Sequence, residues 1–172
     1  MASNLSVHIQ RALKVVLDRP HRHDLSPTIF RPSDFSPKLS HGRDNWILHY
    51  GGAFNPPHIG HLARLSYALT NYSTGLNVVA AMIDPKDDSY LMGKNAEANE
   101  TFVVTKADRA TLWRSADAFP REAWIFEGSE CYKPVFMAEL QAGAQRGVWR
   151  QILASPGTRH HSTRGAAIKK HF

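Results

Sequence analysis

Hydrophobic positions along this chain change their spacing several times, and each change marks an element. Near the start, Leu5, Ile9, Leu13, Val16 and Leu17 recur at helical intervals, with Gln10, Arg11, Lys14 and Asp18 elsewhere on the wheel. This predicts an amphipathic helix, capped by Ser6 or Asn4 and stopped by Pro20. From Pro20 to Arg43 the pattern gives way to His, Pro and Ser, with scattered anchors at Ile29, Phe30 and Phe35. Such a stretch reads as an extended arm laid over a domain, or as a linker. Trp46 to Tyr50 is a short apolar run ending at Gly51-Gly52, which suits a buried strand. Leu62, Leu65 and Leu69 then mark a helix face through Thr70. Asn77 to Ile83 predicts a second buried strand, followed by a polar loop through Asp84, Lys86, Asp87, Asp88 and Lys94. Phe102 to Ala118 reads as helix, Ala123 to Phe126 as a third strand, Val135 to Gln145 as helix and Val148 to Ala154 as a fourth strand.

Strands alternating with helices at this spacing predict an α/β fold with an open parallel sheet. Ligands of such sheets sit beyond the carboxyl ends of the strands, where the strand order reverses. The chain divides accordingly into an N-terminal helix and Pro/His-rich arm (1–43), an α/β domain (44–154) and a basic tail (155–172) expected to be disordered.

Composition narrows the class. With 172 residues and 42% apolar content the chain can bury one substantial core. The longest apolar run, Val78 to Ile83, falls far short of the roughly 20 residues of a membrane span, so no membrane is expected. A single cysteine, Cys131, excludes an internal disulfide framework and a cysteine-built zinc site; it reads as a small buried residue. The net charge of +6 comes entirely from residues 141–172, which carry Arg146, Arg150, Arg159, Arg164, Lys169 and Lys170 and no acid. Charge placed at one end is not a basic nucleic-acid face over the domain, so nucleic acid is not an expected partner. The expected location is intracellular, cytoplasmic or nuclear. A mitochondrial presequence is the other reading of the first helix, opposed by Asp18 and by few serines.

The turn after the first strand concentrates the chemistry. It reads Gly51-Gly52-Ala53-Phe54-Asn55-Pro56-Pro57-His58-Ile59-Gly60-His61-Leu62. Gly51 and Gly52 would let the backbone bend sharply and a ligand lie against it. Asn55 would cap the next helix, with proline at its first position. The helix start then offers N–H groups and the positive end of the dipole to an anion. His58 and His61, three apart, share one side of the first turn, and Gly60 between them clears space where a side chain would block a base or ribose. Two histidines without a Glu between them or a third ligand argue against zinc, and no metal ligand is assigned.

This string resembles the GxFxPxHxGH signature of the nucleotidylyltransferase superfamily, and Phe54 to His58 is most similar to its nicotinamide or nicotinate mononucleotide adenylyltransferase branch. His58 to His61 also spells the motif of class I aminoacyl-tRNA synthetases, for which the chain is too short. The resemblance implies a Rossmann-like sheet of the HIGH-motif type and transfer of an adenylyl group from ATP to a phosphorylated acceptor, releasing pyrophosphate, as in NAD biosynthesis. It implies that His58 and His61 act on the triphosphate as the catalytic pair. It also implies that Gly51, Gly52, Ala53, Phe54 and Gly60 line the nucleotide, and that Mg²⁺ rides on the phosphates. A phosphate monoester, with its second pKa of about 6, is already an anionic nucleophile at neutral pH, so no general base is required. Lys86 and Lys94, on the ligand side of the second strand, are candidates for the acceptor's phosphate. Trp113 is a candidate for stacking on a pyridine ring, with helix packing as its other reading, as for Trp124.

The family's later Ser/Thr motif, S-T-x-x-R, is not matched. Ser162-Thr163 is followed directly by Arg164, with Ala166 in the expected Arg position, so the C-terminus reads as truncated or diverged. Two alternatives stand beside an active adenylyltransferase. One is a catalytically weak nucleotide-binding relative acting as a binding or regulatory module. The other is a cytidylyltransferase-type enzyme. The sequence does not indicate an oligomeric state.

Overall fold

The computed structural model describes residues 5–18, 29–30, 37, 39–40, 44–72, 75–97, 102–143 and 149–154. They form an α/β fold with an open parallel sheet, Rossmann-like in its winding. The helices are α1 (Leu5–Leu17), α2 (Ile59–Tyr72), α3 (Asp88–Glu97), α4 (Lys106–Arg114) and α5 (Lys133–Gly143). The strands are β1 (Ile29–Phe30), β2 (Asn45–Gly52), β3 (Val78–Pro85), β4 (Ala123–Phe126) and β5 (Trp149–Ala154).

Strand order is β1-β4-β3-β2-β5, with β4, β3, β2 and β5 parallel and β1 antiparallel at the β4 edge, Ile29 opposite Phe126. The chain steps from β2 to β3 to β4 in one direction and returns past β2 to β5. The order therefore reverses between β2 and β5, which makes the carboxyl end of β2 the crevice of the fold.

Helices cover both faces of the sheet, which is why Val78–Ile83 of β3 and Ala123–Phe126 of β4 are continuous apolar runs. On one face Leu62 and Leu65 of α2 and Ala110 and Trp113 of α4 pack on Leu48, Tyr50, Ala81, Ile83 and Ile125. On the other, Leu5, Ile9 and Val16 of α1 and Phe136 and Leu140 of α5 pack on Ile47, Val79, Met82, Trp124 and Phe126. Right-handed crossovers put α2 and α4 together and send α5 to the opposite face. No helix of the described residues is long and apolar enough to cross a membrane.

Several expectations are revised. The polar stretch after β3 is not all loop: α3 occupies Asp88–Glu97, holding Leu91 and Asn95, four apart, against the domain. The next helix is shorter than its pattern, because Thr105 caps it by accepting from the Asp108 N–H at 3.1 Å. Ser6 does not cap α1; it is a buried residue inside it, and the Leu5 N–H donates instead to the Pro37 carbonyl at 3.2 Å. Cys131 is exposed, not buried, because it lies in the turn leading into α5. Asn4, Phe35 and the whole of 155–172, with Ser162 and Thr163, lie outside the described residues.

Candidate functional site

The chain leaves β2 differently from the expected glycine bend. Gly51 and Gly52 are still strand, paired in register with Asp84 and Pro85. The left-handed residue is Phe54, with φ of 48°. A bulky side chain in that region costs on the order of 1–3 kcal/mol, so the surroundings must hold it there. They do. The Phe54 ring is buried against Trp113 (centroids 5.2 Å apart, edge-on), Tyr50 (5.2 Å) and His61 (5.1 Å).

Asn55 is not the helix cap, because α2 begins at Ile59. Its side chain points across to the segment before α4, accepting from the Val104 N–H at 2.7 Å and donating to the Phe102 carbonyl at 3.0 Å. The capping place is taken by His58, whose Nδ1 accepts from the Gly60 N–H at 3.1 Å.

His58 and His61 do come together. Their rings lie 3.8 Å apart between centroids and tilt by 33°. His61 Nδ1 accepts from the His58 N–H at 3.2 Å, so both imidazoles use Nδ1 as an acceptor toward the backbone. A nitrogen that accepts from an N–H carries no proton of its own, which places the proton of each neutral ring on Nε2. The pair therefore presents two Nε2–H donors. Burial, the neighbouring His58 and then Arg64 lower the His61 pKa to about 4, so this ring is neutral at physiological pH. Gly60 has a direct steric reason: a Cβ there would lie 3.1 Å from Cε1 and Nδ1 of His58. The space it clears is for the imidazole.

Trp113 is 2% exposed and walled in by Phe54, Tyr50 and Phe119, so packing is the role it has; it backs His61 at 6.4 Å. Trp124 is buried in the opposite core. Ala53 meets the site through its backbone, its carbonyl accepting from Arg109.

Arg109 is an organiser for which the sequence indicates no role. Its guanidinium is fully buried and donates to the carbonyls of Ala53 (2.7 Å), Lys86 (2.8 Å) and Val104 (2.8 Å) and to Asp88. One planar group thus ties together the ends of β2 and β3 and the entry to α4. Lys106, a turn earlier, is also buried and donates to Asp87 (2.8 Å) and the Gly128 carbonyl (2.6 Å). Asp87 in turn accepts from Ser129 Oγ (2.7 Å) and the Glu130 N–H (2.9 Å). Burial raises the Asp87 pKa, but these donors outweigh it and hold the carboxyl below its usual range. The available signal was two cations on the stripe Lys106, Arg109, Ala110, Trp113, which is otherwise a core face.

On the α5 side of β2 a second cluster forms. Asp84 is buried, its Oδ2 accepting from His49 Nε2 (2.9 Å) and Lys133 Nζ (2.6 Å), while Oδ1 has no partner among the described residues. Burial pushes this carboxyl up, and the two donors pull it further down, to a net lowered pKa. Lys133 also reaches Glu130 Oε1 at 3.4 Å, and the same oxygen accepts from Lys86. Lys86 therefore belongs to this cluster, whereas Lys94 is exposed on the last turn of α3. Among the described residues no group of three or more His, Cys, Asp or Glu is placed to hold a metal ion.

No family model, curated protein or solved structure matches the chain.

Proposed function

We propose that the chain is a nucleotidylyltransferase that moves the adenylyl group of ATP to a phosphorylated acceptor, nicotinamide or nicotinate mononucleotide, and releases pyrophosphate. The observation that carries the reading is the imidazole pair. Two stacked rings stand at the start of α2, beyond the carboxyl end of the central strand, with both Nδ1 atoms engaged by the backbone. That arrangement leaves two Nε2–H donors at fixed positions, the His61 ring neutral, which suits stabilising charge on a phosphoryl group.

In this reading the triphosphate lies along Gly51, Gly52 and Ala53, with His58 and His61 donating to oxygens of the α-phosphoryl group and beyond. An oxygen of the acceptor's phosphate attacks the α-phosphorus, the bond to the bridging oxygen of pyrophosphate breaks, and pyrophosphate leaves with the electron pair. The nucleophile is already an anion, so the residues need only position and stabilise. Mg²⁺ bound to the triphosphate rather than to protein ligands would offset its charge.

The test is pyrophosphate release from Mg-ATP with nicotinamide or nicotinate mononucleotide. Release that requires the mononucleotide supports the reading. Binding of ATP without release would make the chain a nucleotide-binding module, and release from CTP in place of ATP would make it a cytidylyltransferase.

A further inference from the structure

Two ammonium groups sharing one carboxylate oxygen is an arrangement that a phosphate oxygen could enter. Lys86 and Lys133 both donate to Glu130 Oε1. Their side chains are 33% and 21% exposed and that of Glu130 is 26% exposed, whereas Asp84 behind them is 1% exposed. The bridge is thus the solvent-facing part of the cluster.

Its placement is fixed from below. The Lys86 N–H donates to the Gly52 carbonyl at 3.0 Å, and the Lys86 carbonyl accepts from Arg109. The Glu130 N–H is held by Asp87. The main chains of both residues are therefore anchored while their side chains remain able to part. Lys133 is anchored by Asp84, whose Oδ2 would lie 3.8 Å from a Cβ on Gly51. Both cations accordingly stand beside the Gly51-Gly52 pair, on the α5 side, with the imidazoles on the α2 side. Asp87 does not compete for them, since its oxygens are occupied by Lys106, Ser129 and the Glu130 N–H.

We propose that Lys86 and Lys133 form a subsite for a phosphomonoester dianion, with Glu130 as the resident counter-ion that the dianion displaces. Taking that dianion to be the phosphate of the acceptor rests on the nucleotidylyltransferase reading above. A dianion interacts more strongly than a single carboxylate with two ammonium groups, so exchange is favoured once the ligand is positioned. Until then Glu130 keeps the two lysines together and neutralised, and Asp84 keeps Lys133 in place.

The test uses the full chain, its Glu130→Gln and Lys86→Met variants, and binding calorimetry. The probes are inorganic phosphate, nicotinamide mononucleotide, nicotinamide riboside and Mg-ATP. Glu130→Gln removes the competing charge at constant size and is expected to tighten phosphate and mononucleotide binding by about 3- to 10-fold. Lys86→Met is expected to weaken both by about 10-fold, and neither variant should change riboside binding. Equal phosphate and mononucleotide affinities across the three proteins, or a riboside effect as large as the mononucleotide effect, overturns the subsite. A gain for Mg-ATP instead of the mononucleotide overturns its assignment to the acceptor. Should no pyrophosphate form while the order of phosphate affinities holds, the enzymatic reading fails and the subsite stands; release without that order has the opposite meaning.

Discussion

The two flanks of the β2 carboxyl end handle charge by different means. On the α2 flank the polar groups are stacked imidazoles, neutral at His61 and oriented by backbone N–H groups. On the α5 flank they are ammonium groups, each matched to a carboxylate: Lys86 to Glu130, and Lys133 to Asp84 and Glu130. Neutral donors can wait uncovered for a charge that develops during reaction, since nothing attracts a counter-ion to them. Full charges in a half-buried place must be compensated at all times. The first flank suits charge that appears in a transition state, and the second suits a ligand that arrives already charged.

Arg109 spans both flanks, and removing it should have the largest effect. Arg109→Met leaves Asp88 and three carbonyls without their buried donor, and a loss of about 3–5 kcal/mol in unfolding free energy is expected from denaturant titration. Next come the imidazoles singly. His58→Ala or His61→Ala should lower turnover by about 10²- to 10³-fold, the scale of one lost donor to a developing charge, with an unfolding midpoint near that of the native chain. Unchanged turnover in both variants would remove their assigned roles.

The flanks should also separate by pH. The pKa of His61 is about 4 in the fold against 6.5 for a free side chain, so between those values the unfolded chain binds more protons. Stability should therefore fall as pH drops from about 6.5 to about 4, and His61→Asn should flatten that slope. His8, whose pKa is also lowered by burial and Arg11, keeps a part of it. Asp84 and Asp87 are held below the usual carboxylate range, so their contribution is complete above it and is lost only at lower pH, as the folded carboxyls protonate. Thermal melts between pH 3 and 7, with and without His61, resolve the two steps. The smallest expected effect is from Gly60→Ala. Its methyl displaces the His58 ring, lowering turnover about 10-fold while stability changes by no more than about 1 kcal/mol.

How much of this was legible follows from what each signal depends on. The inner strands could be read because helices on both faces favour apolar runs, unbroken over Val78–Ile83 of β3 and in β4; Ala123–Phe126 is placed as expected. Helix α3 was not, since only Leu91 and Asn95 turn inward and the Asn95 amide is satisfied by the Phe102 carbonyl at 2.8 Å, a tertiary contact. The imidazole pair was visible because local helical spacing alone brings His58 and His61 together. Besides near neighbours at Val104 and Glu130, Arg109 and Lys133 act through Ala53, Asp88 and Asp84, which lie 21 to 56 positions away, and no local pattern encodes such a meeting. The glycine pair was assigned the bend that Phe54 makes, because the aromatic cage that holds a left-handed phenylalanine exists only in three dimensions.

A strand of two residues contributes little by itself, yet Ile29 and Phe30 stand at the rim of the sheet. By pairing with Phe126 and Ile125 they occupy hydrogen-bonding groups that could otherwise template a neighbouring molecule. The strand they shield, Ala-Trp-Ile-Phe, is wholly apolar and uncharged, the kind of segment that self-associates when its edge is bare. The two-residue pairing thus covers part of the strand edge where such self-association would start.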